Sequence, residues 1–507
     1  MTTSIFKRFL LSVCASALAI TASGFVTTHA RADDQRKSIT DLTPSQVMSL
    51  RRGVAKMMSR NSAPTDTADF RRSWLYWANM HLHFGDDCAG PVMGNGMDGV
   101  QTFTATTPDE TATWCKCEHG TINFLTWHRM YLWYFERVLQ DAAGDASLRI
   151  PYWDYEANGQ LPAAYRDATY VDDTGATVPN PLRVEARQPG LDDGSSSLSS
   201  DVTSTDAAMA DQDFASFSGD LENTPHGAVH CAIVTGGCPN GLMGSVPVAA
   251  LDAVFYAHHA NIDRLYDCWL KVNESTRLPN DPNQLNTMFT FVDSDGSTPT
   301  RRVGDMLTTA QLSYSYGSGG GCPAAPQPQV AGAAAALERP AMILAQGQAL
   351  AVAGPTRISG AATTVPLALQ PAAREALAAR PEAAKPGGRT YLTIEGVQYD
   401  KPPGGLYNVF LQADSRRAQV GVINFFNLLP SGTVGHAAHM GHGTTSANFR
   451  FDVTKAVGEL GLSADAQPSL VFEPTNGLAG STPEAVAPHM NSDANLRFDS
   501  ARLVSAP

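Results

Sequence analysis

The sequence predicts a mostly α domain, built as a four-helix bundle, followed by a C-terminal antiparallel β-sandwich. Three observations predict it. Between Thr43 and Asn273, aromatic and aliphatic residues recur every three to four positions in several stretches, the spacing of helices with one buried face. Residues 317–388 then turn rich in Gly, Ala and Pro, from Gly-Ser-Gly-Gly-Gly to Lys-Pro-Gly-Gly, as linkers do. From Thr390 the pattern changes to short β-type runs, among them Leu-Tyr-Asn-Val-Phe-Leu, Gln-Val-Gly-Val-Ile-Asn-Phe-Phe and Phe-Arg-Phe-Asp-Val. The expected bounds are 33–318 for the helical domain, 319–388 for the linker and 389–507 for the sandwich.

Residues 1–32 have the three parts of a secretory signal: Lys7-Arg8, an apolar run from Phe9 to about Ile20, and the small-residue site Ala30-Arg31-Ala32. That run is too short for a membrane span, so export to the periplasm or beyond and a product without a membrane anchor are expected. Removing Lys7, Arg8 and Arg31 from 36 basic residues leaves 33 against 49 acidic ones, a net charge of −16. Such an acidic surface argues against nucleic acid and anionic membranes as partners.

The first helix is expected from Thr43 to Met58. A second, Asp66 to Phe84, carries Phe70, Trp74, Trp77, Met80, His81 and Phe84 on one repeat. Cys88 to Thr113 reads as loop. The strongest helical signal is Asn123 to Ala142, with Phe124, Trp127, His128, Tyr131 and Phe135 on one stripe. Arg149 to Tyr155 reads as a packed extended turn, and 159–220 as polar loop. Helical spacing returns at Thr224–Ile233 and at Leu251–Asn273.

Seven cysteines follow the signal: Cys88, Cys115, Cys117, Cys231, Cys238, Cys268 and Cys322. An odd number in an exported chain requires one with another fate, and Cys117, two before His119, is the candidate. Proximity in the chain suggests disulfides 88–115, 231–238 and 268–322.

Histidines gather on the expected bundle helices or, for His119, just before one: His81 and His83, His119 and His128, His226 and His230, His258 and His259. His226 and His230, four apart, share a helix face and can chelate one ion. Residues two apart on a helix point about 200° apart and neighbours about 100° apart. His81 and His83 therefore cannot both face one metal, and His258 and His259 hardly can; spacing does not choose between members. Imidazole suits copper, zinc, iron and nickel, but two three-histidine groups without a recurring carboxylate leave open positions for a small ligand. The run Gly435 to His442, with His436, His439 and Met440, reads as a loop of the sandwich rather than a third site.

His-Gly-Thr-Ile-Asn-Phe-Leu-Thr-Trp-His-Arg (119–129) and Asp-Ala-Val-Phe-Tyr-Ala-His-His-Ala-Asn-Ile-Asp-Arg (252–264) closely resemble the two copper signatures of the tyrosinase, catechol oxidase and hemocyanin superfamily. The likeness runs over roughly residues 70–316 and ends in Tyr314-Ser-Tyr316. It implies two copper ions, copper A on His81, His119 and His128 and copper B on His226, His230 and His259. It implies a thioether between Cys117 and His119, which would account for the odd cysteine and fix that ring. It also implies a phenol oxidase using O2, with phenolic small molecules as substrates, and places at Glu222 a carboxylate that orders a water and helps deprotonate an incoming phenol.

Three positions depart from the family pattern. Gly227 stands where enzymes that hydroxylate monophenols often have Asn. Val246 aligns with a bulky phenylalanine gate of many plant catechol oxidases and would leave the entrance wider. Asp252-Ala253 replaces Asp-Pro. The residues from Tyr391 on resemble the C-terminal domain of plant polyphenol oxidases, which covers the copper entrance. The expectation is therefore a tyrosinase that hydroxylates monophenols and oxidises o-diphenols to o-quinones. A diphenol-only catechol oxidase is second, and an oxygen carrier or copper-storage protein more distant.

Overall fold

The computed structural model describes residues 34–81, 107–114, 116–185, 187–322, 348–379, 389–433 and 444–505. The signal at 1–32, His83, the Cys88–Cys115 pair and the loop at 435–442 lie outside the described residues. Among the described residues no helix is long and apolar enough to cross a membrane.

Five helices frame the first unit: α1 (Pro44–Ser59), α2 (Trp74–His81), α3 (Phe124–Ala143), α4 (Ala228–Ile233) and α5 (Val254–Val272). Thr43 and Gln46 form a reciprocal cap at the start of α1, with Pro44 at its first position. Gly144, in the left-handed region at φ 63°, ends α3. At Gly53, α1 crosses α3 so closely that a Cβ would lie 2.8 Å from Leu139 Cδ1. The stripe expected on α3 is buried, with Phe124, Trp127, Tyr131 and Phe135 at most 1% exposed. Tyr256 of α5 stacks on Phe135 at 3.6 Å.

The segment expected as one helix, 66–84, is two in its described part: Ala68–Arg71 and α2, separated at Arg72 and Ser73. Thr67 caps the first piece by accepting the Phe70 N–H, so a new helix start falls inside the periodic stretch. Residues 159–220, expected as loop, hold the helix Phe214–Leu221 and a small hairpin, Thr169–Val171 with Thr177–Pro179. Phe214, Phe217 and Leu221 bury one side of that helix, and Phe217 stacks on Trp269 at 4.1 Å. Asp213 caps it.

Residues 35–36 (β1) pair in parallel with 315–316 (β2), closing the first unit. Arg36 and Tyr316 thereby reach Asp263 of α5, and Tyr314 joins them.

The second unit packs two antiparallel sheets. The strands of these two sheets are β3 (Gln348–Ala353), β4 (Thr363–Pro366), β5 (Ala368–Leu369), β6 (Thr390–Val397), β7 (Leu406–Ala413), β8 (Arg416–Ile423), β9 (Ala447–Asp452), β10 (Ser469–Thr475) and β11 (Ser500–Ser505). The orders are β5-β3-β11-β6-β9 and β8-β7-β10-β4. The expected linker, 319–388, thus differs from what is observed at 348–369, where strands of both sheets lie. An Ala-rich run becomes a strand because β11, about 150 residues later, pairs with it: Ala351 opposite Leu503 and Ala353 opposite Ala501. Disulfides Cys231–Cys238 and Cys268–Cys322 form as expected.

Candidate metal centre

His81 ends α2, His119 stands on the loop entering α3, and His128 lies in its second turn. His226 occupies an irregular turn (Glu222–Gly227) in which Thr224 is extended and Pro225 interrupts the helix; His230 follows in α4, and His258 and His259 lie in α5. All seven rings are at most 3% exposed.

Two groups result. His81, Cys117, His119 and His128 form one, and His226, His230, His258 and His259 the other, the potential ligand atoms of each within 4.8 Å of one another. The groups abut: the rings of His128 and His259 stack at 4.5 Å and those of His119 and His226 at 5.7 Å. All six histidines expected as ligands are therefore brought together. Cys117 Sγ lies 3.5 Å from His119 Nδ1 and 3.6 Å from His128 Nε2.

His258 departs from the expectation that adjacent histidines hardly share a site. Its ring stacks on His226 at 5.5 Å and stands edge-on to His230 at 4.8 Å. The second group wraps far enough around α5 to meet two successive side chains.

Backbone carbonyls set the tautomers. Nδ1 of His81 faces Val246 O at 2.9 Å, that of His128 faces Phe124 O at 2.8 Å, that of His226 faces Glu222 O at 3.1 Å, and that of His230 faces Met243 O at 2.7 Å. A carbonyl only accepts, so each Nδ1 carries the proton and each Nε2 turns its lone pair into the cluster. Burial, above all, drives His128 and His258 down to about 3 and holds His226, His230 and His259 well below the usual imidazole range. The rings are neutral and ready as ligands. His226 Nε2 is buried with no hydrogen-bond partner, and His230 and His259 approach through their Nε2 atoms at 3.3 Å. Such lone pairs cost free energy unless something binds them. A metal that favours imidazole nitrogen fits this donor set.

Glu222 is half-buried, and its Oε1 accepts the Gly120 N–H at 2.7 Å. Burial pushes the carboxyl up to about 8 against the lowering effect of that N–H, with Glu118 nearby adding to the rise. Val246 is buried, and its carbonyl anchors His81. Gly227 is covered by Asn424. Asp252 binds Arg187 through both oxygens and accepts the Val254 N–H, which starts α5 without the proline of the family pattern.

Sequence reasoning missed two groups. Phe255 lies 4.2 Å from His259 and 4.6 Å from His81, a wall for both halves; it sits in the quoted motif, four before His259. Phe426, just beyond β8, stacks on His230 at 4.0 Å with the rings 16° apart, and meets His226 at 5.3 Å and His119 at 5.7 Å edge-on. No local signal ties residue 426 to a histidine about 200 positions earlier.

Comparisons with known proteins agree with this architecture. A family profile described as the common central domain of tyrosinase matches residues 71–191 and 172–272, and a domain of unknown function (DUF7868) matches 349–471. A tyrosinase of Hahella sp. (strain CCB-MM4) is 32% identical over 236 residues, 40% of this chain and 48% of that protein. Catechol oxidase B of Solanum tuberosum is 28% identical over 39% of this chain and 38% of its own. The chain thus spans about half or less of the curated relatives it matches. Latent apple tyrosinase has a similar fold, with a TM-score of 0.58 at 18% identity, covering 93% of this chain and 97% of that one. A tyrosinase from Burkholderia thailandensis gives 0.53 at 16% identity over 92% and 99%.

Proposed function

Because the chain belongs to the tyrosinase and polyphenol oxidase family, whose centre is a pair of copper ions, we propose that it oxidises phenols with O2 at its buried histidine cluster. His81, His119 and His128 hold copper A; His226, His230 and His259 hold copper B. The observation that carries this is the abutting of two imidazole groups with four Nε2 lone pairs turned inward by carbonyl-bound Nδ1 atoms. Cys117, a free thiol buried 3.5 Å from His119 Nδ1 and 3.6 Å from His128 Nε2, would join a carbon of the His119 ring as a thioether, the thiol and ring hydrogens leaving as two protons and two electrons taken up by O2. Bound copper would supply the electron transfer between phenol and O2.

The protein's own groups do the rest. The carbonyls of Val246, Phe124, Glu222 and Met243 fix ring orientation. Glu222 takes the phenol proton. The sheet unit shields the centre, with Phe426 lying where an aromatic substrate would stack on His230. The two observed disulfides support export, since such bonds persist in oxidising compartments.

Two activities compete. Monophenol hydroxylation followed by diphenol oxidation is favoured by the small Val246 and by Glu222. Diphenol oxidation alone is favoured by Gly227, which offers no side chain to help Glu222 hold a water. Oxygen uptake by copper-loaded Phe426→Ala protein on tyrosine and on dihydroxyphenylalanine decides: uptake with both is expected, and uptake with the diphenol alone selects the second reading. Reversible oxygenation without quinone from either would refute both.

Glu222 makes the first reading sharper. As a base it must be ionised, and a carboxyl raised to about 8 gains charge as pH climbs from 6.5 to 8. Monophenol turnover is therefore expected to rise through that window. Glu222→Gln should lower it ~100-fold and flatten the pH profile, the scale of a lost general base. Diphenol turnover should change far less; equal losses on both substrates would remove the proton-accepting role.

A further inference from the structure

We propose that Gly227 is a socket for the Asn424 amide, and that seating Asn424 there latches Phe426 of the sheet unit over the copper centre. The inference rests on the shielding role proposed for that unit and adds what holds the shield in place.

The backbone does not explain a glycine at this position. Gly227 has φ −64° and ψ −35°, an ordinary helical conformation open to every residue, and glycine is among the poorer choices there. Space does explain it. A Cβ at 227 would lie 2.6 Å from Asn424 Oδ1, 3.1 Å from its Cγ and 3.2 Å from its Nδ2. The amide is a side-chain tip, but it is not free to swing away. Asn424 is 4% exposed; its Nδ2 donates to Asn223 O at 2.9 Å, and its Oδ1 accepts the Phe426 N–H at 3.1 Å.

One side chain thus ties the turn that carries His226 to the backbone of the residue stacked on His230. Displacing it breaks both hydrogen bonds, and it shifts the amide that positions Phe426. Position 227 therefore acts twice. A larger residue there, of the kind that could help Glu222 hold a water, excludes the latch; glycine admits it.

The test uses full-length protein carrying Asn424→Ala, Gly227→Ala, both together, or Phe426→Ala. Quinone formation from dihydroxyphenylalanine is measured in the copper-loaded forms, and hydrogen exchange over residues 223–227 and 424–428 in the metal-free forms. Losing two buried hydrogen bonds should raise the open fraction ~10–100-fold, with a matching rise in turnover and exchange for each single variant. The double variant should add little to either, because both act through one contact. If Phe426→Ala activates while Asn424→Ala and Gly227→Ala neither activate nor loosen those segments, the socket is wrong and the shield stands. If Phe426→Ala also leaves turnover unchanged, the shield itself fails.

Discussion

Asp263→Ala is expected to cost ~3–5 kcal/mol of stability, the scale of removing one partner from a buried charge cluster. Asp263 is 3% exposed on α5, one turn after His259. Its Oδ1 accepts Arg129 Nε at 2.6 Å, and its Oδ2 accepts the hydroxyls of Tyr314 at 2.5 Å and Tyr316 at 2.7 Å, with Arg36 Nη1 at 3.4 Å. Arg129 and Arg36 are both fully buried. Burial alone would raise the Asp263 carboxyl; the two guanidiniums and the hydroxyls outweigh it and hold it below the usual range. Alanine would strand the guanidinium of Arg129 and uncouple α3, α5 and the closing pair β1–β2. A carboxyl held low stabilises the fold above its unfolded pKa, and that contribution is lost as pH falls through the folded value. Urea unfolding of the metal-free variant measures the cost, and a loss under ~0.5 kcal/mol, the range of an ordinary surface substitution, would rule the cluster out as the brace of the site.

Replacing His128 or His259 with alanine should remove quinone formation altogether. Each ring belongs to a different half of the centre, and the two stack at 4.5 Å at the seam where the halves meet. The loss should exceed the ~10–100-fold that follows deletion of a group merely supporting a ligand. Circular dichroism of the variants checks that the bundle persists. Turnover within tenfold of the parent in either variant would exclude that ring as a ligand.

The copper-bearing part of the fold was largely legible because its signals are local. The α3 stripe from Phe124 to Phe135 and the four-residue spacing of His226 and His230 follow from helix geometry alone. The expectation of His81 over His83 and of His259 over His258 came from the family resemblance; His83 lies outside the described residues, and His258 and His259 both stand in the second group. The sheet unit was less legible. Residues 348–353 look like linker by composition and are a strand only because β11 lies beside them. Phe426 and Asn424 meet the site across about 200 residues, so nothing near them in sequence announces the contact. Gly227 could be marked as unusual, but its reason is a side chain from the other unit.

Copper content of the purified, metal-replete full-length protein tests the central claim most directly, measured beside His81→Ala and His259→Ala. Six imidazoles in two groups predict two coppers per chain in the parent and one in each variant. A single copper in the parent, or two retained after His259→Ala, would contradict the assignment.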